Sequence, residues 1–186
     1  MPINTNTSLF NYNGYITTAS GTEVYLPRPT TEMISIDDIA RALSNIARWN
    51  GQTRQPFTVA QHSVMVCWMA PLELKKAALM HDAAEAYLGD VSRPLKELVP
   101  GYKLLEEKFQ QVIALKYGYP PRDVEAIKEY DKAMQKVEWE YLYEHNPISL
   151  LEMYINQKQL GLPEVWNHHQ AQVMFLMEFK KWFTQF

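Results

Sequence analysis

The chain has 186 residues, with 18 Lys and Arg against 21 Asp and Glu and a formal net charge of −3. That length is one domain. A hydrophobic content of 47% is that of a globular chain and excludes a disordered tail protein. The near-balanced charge excludes a general attraction to nucleic acid polymers or acidic membranes, so any phosphate recognition must be local. One cysteine, Cys67, excludes an internal disulfide framework and fits a reducing, cytoplasmic compartment. No targeting segment is expected at the polar N-terminus. The longest apolar run, Val64 to Leu72, contains Pro71 and falls far short of the roughly 20 residues that span a bilayer.

In chain order, residues 1–33 are rich in Thr, Asn, Tyr and Pro. The β-prone runs Tyr15–Thr18 and Thr22–Leu26 flank Ser20-Gly21 and predict a small hairpin, ended by Pro27 and Pro29. Ser35 and Asp38 stand at capping-box spacing before an apolar face of Ile36, Ile39, Ala40, Leu43, Ile46 and Ala47, in a helix stopped by Asn50-Gly51. Thr58 with Gln61 opens a second helix to about Met69. Pro71 opens a third, running to about Leu88 before Gly89. Pro100 to Tyr117, closed by Gly118, makes a fourth. Pro120-Pro121 begins a fifth to about Glu144, and Pro147 and Pro163 each restart a helix. The expectation is a single all-α domain, a bundle of about seven helices with a short N-terminal β-hairpin. Residues 1–33 form the appendage, 34–131 carry the candidate site, and 132–186 supply the C-terminal helices.

There is no Gly-rich phosphate loop, no Cys-Cys zinc pattern and no Gly-x-Ser-x-Gly elbow. What stands out is His81-Asp82 inside the third predicted helix, between Ala77–Met80 and Ala83-Ala84. Taken alone the two read as a structural hydrogen-bonded pair. However, ionisable neighbours in an apolar helix centre are costly unless paired or metal-bound. Glu85 lies on the same helical face and Asp90 just past the helix end. His62 sits mid-way along the second helix and Asp131 along the fifth, and facing helices are how bundles build metal sites. His62, His81, Asp82 and Asp131 together offer two imidazoles and two carboxylates, a set suited to Zn, Mn, Fe or Co rather than Ca. Such an ion would activate water and polarise a phosphoryl oxygen. Glu85 would orient that water or shuttle a proton, and Asp90 would protonate a leaving alkoxide. Arg48 offers a planar fork for phosphate, and Trp49 a flat face for a base or sugar. By themselves the two read rather as a surface ion pair and a core aromatic. Lys96, Arg54 and Arg93 are further phosphate-contact candidates, the two arginines reading rather as solvated charges.

These blocks resemble the HD-domain phosphohydrolases. His62, His81-Asp82 and Asp131 match that family's H…HD…D signature. Ser35–Ile39, Arg48-Trp49, Thr58–Ser63, His81–Tyr87, Gly89-Asp90 and Pro94–Lys96 carry the likeness over just over half the chain. It is greatest toward small bacterial and phage members acting on deoxynucleotides. The resemblance implies that His62, His81, Asp82 and Asp131 hold a divalent transition metal, that Glu85 and Asp90 are catalytic, and that Arg48 and Trp49 bind phosphate and pack on the sugar, with Lys96 as a secondary contact. A sugar packed on Trp49 would leave no room for a 2′-hydroxyl. The favoured reading is a dATP triphosphohydrolase releasing deoxyadenosine and triphosphate, with Mg²⁺ accompanying the triphosphate. The alternative is a 5′-deoxynucleotidase releasing phosphate from deoxynucleoside monophosphates. A third reading, a catalytically silent nucleotide-binding module, would be favoured by loss of Glu85 or a ligand, and all are present. The expected location is the cytoplasm of a bacterium or a phage-infected host.

His145, His168 and His169 are metal candidates by residue type alone, but adjacent helical histidines diverge by about 100°. Cys67 beside Trp68 reads as a packed thiol. Val173, Leu176, Phe179, Trp182, Phe183 and Phe186 form an apolar stripe expected to be mostly core. Phe175, Met177 and Phe186 are expected to leave aromatic surface for a homo-oligomer interface.

Overall fold

The computed structural model describes residues 14–143 and 165–184. The described residues are mostly helical, with one two-stranded hairpin near the N-terminus, as the patterning predicts. Strands β1 (Tyr15–Thr17) and β2 (Glu23–Tyr25) pair antiparallel, with Tyr15 opposite Tyr25 and Ile16 opposite Val24. Gly21 takes the left-handed conformation the turn needs, at φ +85°. Val24 is fully buried, so the hairpin closes one edge of the core.

The hairpin is tied to helix α1 (Ile36–Asn45) through Ser20. Its backbone N–H donates to Asp38 Oδ1 at 2.9 Å and its hydroxyl to Oδ2 at 2.7 Å. This corrects the capping box expected at Ser35. Ser35 does occupy the N-cap but makes no side-chain cap bond, and Asp38 turns to Ser20 instead. Ile39, Ala40 and Leu43 are buried as expected.

Helix α1 also ends earlier than its punctuation suggested. Ala47 forms a β-bridge with Thr58, and the Arg48 N–H donates to the Phe57 carbonyl at 2.8 Å. Those bonds take the backbone out of the helical ladder. Arg48–Gly51 is therefore a separate 3₁₀ turn, not the end of a helix. Helix α2 (Val59–Met69) follows, with Thr58 Oγ1 accepting the Gln61 N–H at 3.1 Å. Every residue from Val59 to Trp68 is buried, because helices pack around it on several sides.

The predicted third helix is broken. After a 3₁₀ turn (Leu72–Leu74), α3 spans Lys75–Met80 and α4 spans Glu85–Leu88. Between them the backbone tightens to three-residue bonds, Ala83 N–H to Met80 O and Glu85 N–H to Asp82 O. Side chains stabilise the break. His81 Nδ1 donates to the Ala78 carbonyl at 2.8 Å, and Gln110 Nε2 donates to the Met80 carbonyl at 2.7 Å. His81-Asp82 thus opens a turn rather than occupying a helix centre.

A short helix not anticipated from sequence, α5 (Arg93–Leu98), has Pro94 in its first turn and buries none of its residues. Helix α6 (Tyr102–Tyr117) contributes Phe109, Ile113 and Ala114 to the core and ends on left-handed Gly118. The predicted fifth helix is two, α7 (Asp123–Ala126) and α8 (Lys128–Leu142). Helix α9 (His168–Phe183) begins with a capping box of Asn167 and Gln170 and packs on α1, α2 and α3.

Most of the apolar stripe expected on α9 packs as expected, with Leu176, Phe179, Trp182 and Phe183 half-buried against the core. Phe175, assigned to surface, is fully buried, whereas Val173, assigned to core, is 41% exposed. The buried face is set by Ala171, Phe175 and Glu178, because Glu178 accepts the indole N–H groups of Trp68 (3.0 Å) and Trp182 (2.7 Å). Met177 is exposed as expected. The features expected at His145, Pro147, Pro163 and Phe186 lie outside the described residues. No described helix is long and apolar enough to cross a membrane.

Candidate metal centre

Three helical segments converge on one point. His62 comes from the middle of α2, His81 and Asp82 from the turn after α3, and Asp131 from the first turn of α8. His62 Nε2 lies 3.2 Å from His81 Nε2, 3.1 Å from Asp131 Oδ1 and 3.5 Å from Asp82 Oδ2. His81 Nε2 is 3.2 Å from Asp82 Oδ2 and 3.9 Å from Asp131 Oδ1. Ligand atoms of His62, His81 and Asp131 all fall within 4.8 Å of one another.

The donor chemistry fits a cation. His62 Nδ1 donates to Glu138 Oε1 at 2.5 Å, and His81 Nδ1 donates to the Ala78 carbonyl. Both acceptors fix the proton on Nδ1, leaving each Nε2 with its lone pair turned inward. Two imidazole lone pairs and two carboxylate oxygens at these distances repel unless a positive charge lies among them. Without metal a proton serves. Burial and Arg48 oppose a charge on His62, but Glu138 and Asp131 outweigh them and push it up to about 9. Burial likewise opposes the charge on Asp82 and Asp131. His81, His62 and Arg48 nevertheless hold Asp82 well below the usual carboxylate range, and His62 and His81 bring Asp131 down to about 2. Gln135 Nε2 steadies Asp131 by donating to both its oxygens at 2.9 Å.

A cavity of about 550 Å³ opens beside this cluster, lined by Arg48, Trp49, Asp82, Glu85, Asp90 and Lys96 among others. A second, of about 380 Å³, reaches the cluster from the side of His81 and Asp131. Asp82, Lys96 and Asp131 border both. Every residue that the sequence reading assigned to the site therefore lies in the cluster or on a cavity wall.

Arg48 is buried rather than at the surface. Its Nε donates to Glu138 Oε2 at 2.9 Å, and its Nη1 lies 3.5 Å from Asp82 Oδ2. Trp49 Nε1 donates to the same Glu138 oxygen at 3.0 Å, with its ring edge-on to Trp139 and Tyr143. Both Trp49 and Asn50 adopt the left-handed conformation, at φ +58° and +52°. For Trp49 that costs about 1–2 kcal/mol, whereas asparagine tolerates it.

Glu85 is 4% exposed, and its Oε2 has no hydrogen-bond partner among the described residues. Burial, with Asp82 and Asp90 nearby, raises it well above the usual carboxylate range. Burial also raises Asp90, despite Arg48. Lys96 Nζ lies 3.5 Å from Glu85 Oε1 and 2.5 Å from Glu106 Oε1. Burial disfavours its charge, but those carboxylates secure it.

No family model matches the chain. It is 44% identical over 124 residues to the Escherichia coli K12 protein YfdR, which covers 67% of this chain and 70% of YfdR. The chain belongs to the family of YfdR. A Rhodobacter capsulatus protein, RCAP_rcc00048, is 35% identical over 137 residues, covering 66% of this chain and 70% of that protein.

Other candidates of this YfdR-family chain lie elsewhere. Arg54 is exposed and lines neither cavity beside the cluster. Arg93 reaches the cavity rim but is largely solvated and paired with Glu97. His168 and His169 are exposed at the start of α9. Cys67 is buried, and burial together with Glu178 pushes its thiol up to about 12.

The residue that sequence reasoning missed is Glu138, fully buried and bonded to His62, Arg48 and Trp49. A signal existed. Asp131, Gln135 and Glu138 fall at i, i+4 and i+7, one inward stripe of α8. Among Lys136, Glu140 and other polar neighbours, a single glutamate reads as solvated.

Proposed function

We propose that the protein is a metal-dependent phosphohydrolase of 2′-deoxynucleotides, of the HD-domain type. The observation that carries this reading is the convergence of His62, His81, Asp82 and Asp131 beside a cavity walled by Arg48, Trp49, Glu85, Asp90 and Lys96. The four ligands would hold a divalent transition metal such as Zn, Mn, Co or Fe, whose chemistry is that of a Lewis acid toward a phosphoryl oxygen. Arg48 presents its guanidinium to the substrate phosphate while Glu138 fixes its Nε. Trp49 forms the wall against the deoxyribose. Burial raises the proton affinity of both carboxyl groups, which suits Glu85 to orienting the water or shuttling a proton and Asp90 to protonating the leaving oxygen. Lys96 keeps the cavity mouth positive beside Glu85.

The favoured substrate is dATP, with triphosphate as product and Mg²⁺ accompanying the nucleotide. The second cavity beyond Asp82 and Asp131 offers room for a phosphate chain extending past the scissile bond, although its Lys96, Lys103 and Lys128 are each paired with a glutamate of the same wall, Glu106, Glu107 and Glu125. The 5′-deoxynucleotidase reading needs only the first cavity. Incubation with each deoxynucleoside triphosphate and monophosphate plus Co²⁺ or Mn²⁺, with products separated by chromatography, tests both. Triphosphate as the inorganic product selects the first, and orthophosphate from monophosphates alone selects the second. Asp82→Ala should abolish turnover with far-UV circular dichroism unchanged. Full activity in that variant, or nucleotide binding without turnover in the native protein, overturns the proposal.

A further inference from the structure

Glu138 divides its two oxygens between two parts of the site. Oε1 accepts from the metal-cluster imidazole of His62, and Oε2 accepts from both Arg48 Nε and Trp49 Nε1. The carboxylate is fully buried, so water offers these donors no substitute. On the Oε2 side the backbone is in the strained left-handed conformation at Trp49 and Asn50, an arrangement that persists only while its surroundings hold it. On the Oε1 side the imidazole sits 3.1–3.2 Å from its neighbouring ligand atoms and must adjust when a cation enters between them. A tilt of His62 moves Oε1, and a rigid carboxylate transmits that movement to Oε2.

We propose that Glu138 is a positioning residue that couples the metal cluster to the Arg48–Trp49 turn, so that filling the cluster reshapes the cavity wall that faces the substrate. This rests on the metal-site reading above and adds a direction of communication to it. Trp49 is the reporter, since its indole N–H meets Glu138 and no ligand of the cluster. Coupling free energies are reciprocal, so a change at Trp49 must also be felt as a change in metal affinity.

The test uses Zn²⁺ alone, without nucleotide, on ¹⁵N-labelled full-length protein. Zinc binding is measured by calorimetry, and the indole N–H resonances are followed, with Trp49 assigned by its loss in Trp49→Phe. Stoichiometric zinc binding is expected to shift the Trp49 resonance in the wild-type protein. Glu138→Gln should weaken zinc binding by about 10–100-fold, the usual range for groups that orient metal ligands, and at saturating zinc should leave the Trp49 resonance unmoved. Trp49→Phe, which keeps the aromatic packing, should change zinc affinity by about twofold or more, and it keeps the question answerable if Glu138→Gln does not fold. Zinc that binds tightly with no movement of Trp49 overturns the coupling and leaves the metal site standing. Absence of zinc binding to the wild-type protein overturns both.

Discussion

Glu85 illustrates what burial does to one carboxyl group among others. Desolvation and the charges of Asp82 and Asp90 raise its proton affinity well above the ordinary value of 4.5. The folded state therefore keeps a proton that the unfolded chain releases. In that window the folded protein loses stability as pH rises from the unfolded pKa toward the raised folded one. Glu85→Gln cannot ionise. In chelator-treated protein, its urea-unfolding free energy relative to wild type should increase as pH rises above the ordinary carboxyl value of 4.5, and a flat difference would contradict the burial argument. If the proposed phosphohydrolase reading holds, the same substitution removes the proton and should lower kcat by about 10²–10⁴-fold with little change in KM. At this scale the site residues themselves were legible, because adjacent ionisable groups amid alanines need an explanation. Glu138 was not, because its partners are 76 to 90 positions away in the chain.

Among the elements, the turn after α1 and the break after α3 place the site. Asn50-Gly51 reads correctly as punctuation, but the helix it seems to end has already stopped at Asn45. A β-bridge between Ala47 and Thr58 removes the backbone from the ladder, and no local propensity announces such a pairing. The turn it leaves holds Trp49 and Asn50 at positive φ. Asparagine tolerates that conformation and a β-branched residue does not. Asn50→Val should therefore destabilise the protein by about 1–2 kcal/mol, seen as a lower urea midpoint, whereas Asn50→Gly should stay within about 0.5 kcal/mol of wild type. The break at residues 81–84 was hidden by its alanines, which are strong helix formers. It exists because His81 and Gln110 cap the carbonyls of Ala78 and Met80.

For the whole molecule, α9 is what closes the bundle against α1, α2 and α3. Its attachment is partly polar, since buried Glu178 accepts from two indoles and lies 3.7 Å from Lys181 Nζ. Glu178→Ala would remove the carboxylate that accepts from both indoles. It should cost about 2–4 kcal/mol by chemical denaturation, and a loss under about 1 kcal/mol would mean that apolar packing alone holds the helix. This tie explains why the most deeply buried line of α9, Ala171, Phe175 and Glu178, lies to one side of the stripe read from hydrophobic spacing. Spacing marks which residues are apolar, whereas the buried face here is chosen by a charged residue that meets partners on α2 and on its own next turn.

Residue order alone dictated the helical class, the hairpin with its turn at Gly21, the opening of α2 at Thr58 and the candidate ligand set of His62, His81, Asp82 and Asp131. Each follows from periodicity, local turn preferences or the cost of burying ionisable groups, all of which act over a few neighbouring positions. Packing in three dimensions chose the rest: where α1 stops, where the third helix breaks, which face α9 buries, and that Glu138 joins the metal cluster to the Arg48–Trp49 turn. Those outcomes depend on partners far apart in the chain, whose meeting is settled only when the helices dock and water leaves.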